Sequence, residues 1–233
     1  MLEHSRKMRS PMRVRRMIVI AFVLDLLLVG LLILCKSDNL ILTSTAFAEE
    51  KMVALTFDDG PHPRYTEQLL DGLKERGVVA TFFVTGQNAN RNPDIIERMQ
   101  KEGHLIGNHT YTHIQLTSIN EEIYKKEILD TNKVISDITG CETSFIRPPY
   151  GSWKKKIEIE LNMVPVLWTV DTKDWCSTDV SAIVRRGTKK TKENDIILMH
   201  DYYNTSVKSA LKIVDILKDE GFTFVTVDEL LFD

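Results

Sequence analysis

From residue 52 to the carboxyl terminus, short apolar runs alternate with stretches whose apolar residues recur every three or four positions. These are the periods of a strand and of an amphipathic helix. The runs predict strands at 52–57, 80–85, 104–108, 145–147, 164–170, 196–199 and 222–227. The stretches between them predict helices at 66–76, 93–102, 120–139, 154–161, 180–190 and 206–220. Strand and helix in alternation is the pattern of βα units around a parallel sheet, and seven strands with six helices predict an α/β barrel. Gly77, Gly103, Gly140 and Gly221 each follow a helical run, where the chain needs a residue that tolerates positive φ.

Residues 18–35 follow a different pattern, an apolar run broken only by Asp25 and Gly30. As a helix it would rise about 27 Å, close to the ~30 Å hydrocarbon core of a bilayer. Asp25 opposes insertion by about 2.5–3.5 kcal/mol, whereas the Ile, Val, Leu and Phe residues of the run together favour it by about 4–8 kcal/mol. Six basic residues precede the run and only Lys36 follows closely, which places the amino terminus inside and the rest outside. The chain therefore divides into a basic cytoplasmic head (1–17), a transmembrane anchor or signal-peptide core (18–35), a linker (36–51) and one folded domain (52–233). Ala46-Phe47-Ala48 has the small-x-small form of a processing site. Retained or cleaved, the segment exports the domain.

Charge narrows the partners. The net charge of −3 conceals a basic head: residues 49–233 hold 23 of the 30 basic and 30 of the 33 acidic residues, a balance near −7. A domain so acidic gains nothing from counterion release on phosphate backbones, which argues against nucleic acid. Cys141 and Cys176 fall at opposite ends of the predicted barrel, about 17 Å apart, beyond the ~7 Å Cα reach of a disulfide, so both are expected to be free thiols.

The unusual polar residues cluster by position. Asp58-Asp59, His109 with His113, Arg147, Asp171 with Asp174, and His200-Asp201 all sit at or just after the carboxyl end of a predicted strand. In a parallel barrel those ends share one face, where active sites are built. His109 and His113 at a spacing of four can grip one metal ion if they lie a helical turn apart. Adjacent Asp58 and Asp59 on extended backbone should point to opposite sides and do different work. Arg147 is followed by Pro148-Pro149, which stiffen the exit toward Tyr150. Trp168 reads as core.

Taken together, Thr56-Phe57-Asp58-Asp59-Gly60, His109-Thr110-Tyr111-Thr112-His113, Arg147-Pro148-Pro149-Tyr150, Asp171-Thr172-Lys173-Asp174-Trp175 and Leu198-Met199-His200-Asp201 resemble the five motifs of carbohydrate esterase family four, the NodB-homology polysaccharide deacetylases. The resemblance covers residues 52–231 and implies a distorted seven-stranded (β/α) barrel. It implies Asp59, His109 and His113 as ligands of one divalent metal ion, zinc before cobalt or nickel. It further implies Asp58 as base, oriented by Arg147, and His200 as acid, supported by Asp174 in preference to Asp171. The Tyr150 backbone N–H would serve as an oxyanion donor, with Tyr150, Trp175 and Leu198 as pocket walls. The expected substrate is an N-acetylated cell-wall polysaccharide, peptidoglycan before chitooligosaccharide or acetyl-xylan, and the expected state a monomer. The rivals are a non-haem iron oxygenase with the same ligand set and a wall-binding module without catalysis.

Overall fold

The computed structural model describes residues 51–232; the head, the apolar run and the linker expected from the sequence lie outside them. No helix among the described residues is long and apolar enough to cross a membrane.

The chain opens with strand β1 (Lys51–Asp58), followed by α1 (Tyr65–Glu75), β2 (Thr81–Val84), α2 (Gly86–Arg91), α3 (Pro93–Lys101) and β3 (Leu105–Asn108). Next come α4 (Glu121–Thr139), β4 (Phe145–Ile146), α5 (Lys155–Leu161), β5 (Val164–Pro165) and β6 (Val170–Asp171). The last elements are α6 (Val180–Thr188), β7 (Asp195–His200), α7 (Asn204–Asp219), β8 (Phe222–Val225) and α8 (Val227–Phe232). All pairings are parallel, and the strands run β5-β4-β3-β2-β1-β7-β6, with β8 beside the first half of β1. This is the expected distorted α/β barrel with an open side between β5 and β6.

Alternation along the strands sorts two cores. Val53, Leu55 and Phe57 of β1, Phe82 and Val84 of β2, and Ile197 and Met199 of β7 join the layer beneath the helices. Ala54, Phe83, Val166 and Ile196 form a separate cluster. Side chains of the second set share their strand face with Thr56 and Asp58, so the polar residues reach the barrel interior by the same period-2 rule that buries the apolar ones.

Predicted helices recur with small shifts at their ends. Asn120 caps α4 by accepting the Ile123 N–H, Asp179 caps α6 through the N–H groups of Ser181 and Ala182, and the four predicted cap glycines all have positive φ. The predicted strand at 164–170 is divided. Val166 donates to Ile146 on one side and Thr169 donates to Ile196 on the other, so the segment leaves β4 for β7 and cannot be one strand. The carbonyls of Val166 and Leu167 at the break accept from Nε and Nη2 of Arg147. Residue 227, expected in the last strand, instead opens α8, where the Thr226 N–H donates to Glu229 as in a capping box.

Candidate active site

One cavity of about 420 Å3 at the carboxyl ends of the strands is lined by Asp58, Asp59, His109, His113, Tyr150, Trp168, Asp171, Trp175, Leu198 and His200. Residues separated by more than 140 positions meet there because β1, β3, β4, β6 and β7 all end on the same face.

Arg147 supports one wall. Its side chain is wholly buried, with Nη1 donating to Asp58 Oδ1 at 2.9 Å and to Thr56 Oγ1 at 2.6 Å. The guanidinium lies over the Phe83 ring at 4.3 Å. A cation taken out of water this completely needs a paired charge and hydrogen bonds on its remaining donors. Asp58 supplies the charge, and Thr56, Val166 and Leu167 complete the shell. Burial lowers the Arg147 pKa while the Asp58 carboxylate opposes that shift.

The opposite wall is a loop. Residues 109–113 are not helical, contrary to the expectation from the His spacing: Thr110 and His113 both adopt left-handed backbone, with φ of 62° and 61°. Several groups impose this shape. Glu127 of α4 accepts from the N–H groups of Tyr111 and Thr112 and from the Thr112 hydroxyl, at 2.8, 2.7 and 2.9 Å. Asn108 Oδ1 accepts the Thr110 N–H, while Gly86 and Gln87 at the start of α2 donate to the carbonyls of Thr110 and Tyr111. A Cβ at Gly86 would stand 2.5 Å from the Tyr111 ring, so only glycine lets the helix approach the loop this closely.

Asp59 also has a left-handed backbone, φ 74°, and this corrects the simple alternation argument. Continued extension would aim Asp59 away from Asp58. The left-handed turn instead brings both carboxylates into one cavity, Asp58 against Arg147 and Asp59 against the histidines. Asp59 Oδ1 lies 3.4 Å from His109 Nε2 and 3.3 Å from His113 Nε2, and Asp58 Oδ2 lies 3.9 Å from His109 Nε2. Asn88 of α2 donates to the Asp59 carbonyl and Thr85 to that of Gly60, fixing the turn. Burial pushes the Asp59 carboxyl up, but His109, with His200 and His113 behind it, outweighs burial and holds it at about 2.

One ligand atom from each of Asp59, His109 and His113 lies within 4.8 Å of the others. His109 Nδ1 sits 2.6 Å from the Arg147 carbonyl; donating there, it leaves Nε2 free to bind a metal. Asp59 Oδ1 is buried without a hydrogen-bond partner among the described residues. Two imidazole nitrogens around an orphaned carboxylate oxygen fit a divalent ion with open positions for water and substrate.

His200 stands at the end of β7, and Asp174 accepts from it twice, from Nδ1 at 2.9 Å and from the backbone N–H at 2.8 Å. Asp171 instead accepts the Lys173 N–H, so the partner of His200 is Asp174. Burial would push the imidazole down, yet Asp174, aided by the charges of Asp58 and Asp59, raises it to about 9. Asp201 turns away from the cavity and accepts from the Thr66 hydroxyl, and burial pushes its carboxyl up to about 7. A Cβ at Gly60 would stand 2.3 Å from Asp201 Oδ2.

Tyr150 and Trp175 are exposed at the rim, whereas Leu198 is buried at the floor. Trp168, expected in the core, is half-buried and lines the cavity. Glu127, Asn88 and Thr56 were missed as supports. Thr56 stood inside a quoted motif, while Glu127 looked like any acid on an amphipathic helix. Cys141 and Cys176 are both exposed and unpaired.

Residues 46–165 match the family model described as Polysaccharide deacetylase. The chain is 39% identical over 186 residues to the peptidoglycan-N-acetylmuramic acid deacetylase PdaC of Bacillus subtilis, covering 80% of this chain and 40% of that protein. It is 40% identical over 190 residues to a peptidoglycan-N-acetylglucosamine deacetylase of Bacillus cereus, covering 78% and 89%. The solved structure of PdaC superposes with a TM-score of 0.76 at 40% identity, covering 78% of this chain and 90% of that one. A family 4 carbohydrate esterase from Streptomyces lividans gives a TM-score of 0.71 at 32% identity, covering 75% and 91%. The chain spans about two fifths of PdaC's length, and with the family model matching more than half of its residues it belongs to the polysaccharide deacetylases of carbohydrate esterase family four.

Proposed function

We propose that this chain is a metal-dependent deacetylase that hydrolyses the acetamide of N-acetylglucosamine residues in peptidoglycan outside the cytoplasmic membrane. One observation carries the reading: two separately supported proton-transfer groups, Asp58 on Arg147 and His200 on Asp174, share one cavity with a three-donor metal cluster. Zinc suits these N/O donors, and cobalt, nickel or iron are accommodated by the same set. Asp59, His109 and His113 would hold a divalent ion, which when bound would supply Lewis-acid polarisation of the acetamide carbonyl and acidify a water.

Asp58, paired with and oriented by Arg147, takes a proton as the water oxygen forms its bond to the acetyl carbon. Negative charge then collects on the former carbonyl oxygen. The Tyr150 backbone N–H would meet it, a reading supported by the extended Pro148, the left-handed Tyr150 at φ 61° and the lack of a protein acceptor for that N–H among the described residues. His200 gives its proton to the sugar nitrogen as the C–N bond breaks, leaving acetate and an amine. Leu198, Trp168 and Trp175 offer the apolar surface against which the acetyl methyl and the sugar face can pack.

An export segment at 18–35, retained as an anchor or cleaved after Ala48, puts the domain against the wall, which favours peptidoglycan over soluble oligomers. The dual support for base and acid disfavours both an oxygenase, which needs neither, and a passive binding module. Following acetate release from peptidoglycan, chitooligosaccharides and acetyl-xylan tests the reading. Peptidoglycan should react fastest, chelator should abolish release, and added zinc or cobalt should restore it. Release from acetyl-xylan alone, or full activity in excess chelator, would overturn it.

A further inference from the structure

Beside the catalytic cavity lies a second one of about 610 Å3. Arg185, Arg186, Lys189, Lys190 and Lys192 line it, together with residues 169–171 and Asp195. These five cations fall within eight consecutive positions that hold no acidic residue, in a region whose overall balance is near −7. Arg185 and Arg186 lie in the last turn of α6, where the helix dipole favours cations. Lys189, Lys190 and Lys192 lie beyond that turn and need another reason.

No internal partner supplies it. Arg186 donates to the carbonyls of Thr172 and Lys173, while Arg185, Lys189, Lys190 and Lys192 form no ion pair among the described residues. The two acids of the cavity are engaged locally, Asp171 accepting the Lys173 N–H and Asp195 the Lys192 N–H. Like charges gathered in a cleft repel each other and focus a positive field into it. Asp171 lines both cavities, so the two adjoin at that residue, the cationic one extending from there toward the amino end of β7 at Asp195.

We infer that the cationic cavity binds carboxylates carried on side groups of the polymer whose N-acetyl sugar occupies the catalytic cavity, namely the peptide stems of peptidoglycan. This rests on the peptidoglycan reading above and extends it. A stem of about three to five residues reaches roughly 10–17 Å from its sugar at about 3.4 Å per residue, enough to span adjoining cavities. An anionic lipid surface would meet the same charges but has no cause to adjoin the catalytic centre. The site therefore selects for a glycan that bears acidic peptides over a neutral one with the same acetamide.

The test compares kcat and KM on three substrates: glycan strands with stems, the same strands stripped by an amidase, and chitotetraose. The full chain should favour stem-bearing strands about tenfold at low salt, the advantage fading as salt rises. Lys189→Gln/Lys190→Gln/Lys192→Gln should remove it through KM, leaving the stripped strands and chitotetraose unaffected and the melting temperature unchanged. Equal rates on stripped and stem-bearing strands would overturn the stem site while leaving the peptidoglycan reading intact. Activity on chitotetraose alone would overturn both. Binding of phosphatidylglycerol vesicles that is lost in the triple variant, with the glycan kinetics unaltered, would assign the patch to a membrane surface and overturn the proposal.

Discussion

Asp58 and Asp59 are neighbours in the chain but belong to differently built walls of the cavity. The Asp58 wall is interior: its carboxylate and the Arg147 guanidinium are almost fully buried, and their partners come from strands or from the gap between strands. The Asp59 wall is a set of turns, with left-handed backbone at Asp59, Thr110 and His113, held from outside by α2 and α4. One wall is fixed by the packing of the barrel, and the other by hydrogen bonds to a loop. Removing a part of the first should cost stability, and removing a part of the second should cost metal.

The largest effect is expected from Arg147→Ala. It leaves Asp58 as an unpaired buried charge and two carbonyls without donors, a loss of about 3–5 kcal/mol by denaturant unfolding. Stability within about 1 kcal/mol of the parent would mean that the guanidinium does not hold the segment between β5 and β6 against β1.

Next is the pair of carboxylates. Asp58→Asn should keep its metal while turnover falls about 10²-fold or more. Asp59→Asn should lose metal, with activity partly recovered at high metal concentration. Metal analysis and acetate release on both variants decide the matter: if Asp58→Asn loses the ion and Asp59→Asn retains it, the two walls have exchanged roles.

A smaller effect is expected at Glu127, which bonds to Tyr111 and Thr112 of the loop and not to Asp59, His109 or His113. Glu127→Ala frees the loop and should weaken metal binding about tenfold, read by competition with a chromophoric chelator. Glu127→Gln, which retains an acceptor for the two N–H groups, should recover most of that loss. Equal affinity in parent and Glu127→Ala would show that the loop holds its shape unaided.

The mildest test concerns pH. His200 is raised to about 9, so the proton it would donate as the proposed acid is present through neutral pH and is lost as pH rises through that value. The alkaline fall in kcat should lie there. In Asp174→Asn the principal support for the charged ring is gone while the burial that opposes it remains, and the fall should move to lower pH.

The two walls were also unequally legible in the sequence. Strands β1 and β7 are plain apolar runs, and Asp58 and His200 could be placed at their ends by counting. The loop could not be read. A spacing of four between His109 and His113 suits a helix, and only the hydrogen bonds to Glu127, Asn108 and α2 exclude one. α2 itself, Gly-Gln-Asn-Ala-Asn-Arg, has no apolar period to reveal it. The break at 166–169 was hidden because the segment is apolar throughout. What divides it is the need of a buried guanidinium 19 residues earlier for two carbonyl acceptors. Trp168, expected in the core, does pack against the cluster of Ala54, Phe83 and Val166, but because it belongs to the break its other side lines the cavity. At α8 a signal existed, the Thr226-Val227-Asp228-Glu229 capping box, but the apolar residues beside it read as the continuation of a strand.

Arg147 ties the segment between β5 and β6 to β1 and orients the proposed base with one side chain. Scaffold and chemistry are therefore coupled unequally across the cavity. A descendant of this chain that abandons hydrolysis but keeps its shape has an easy route through Asp59 or His113, whose loss disturbs only turns, and a hard one through Arg147, whose loss frees the segment between β5 and β6 from β1. Inactive but folded offshoots should thus be recognisable by a damaged metal loop around an intact arginine.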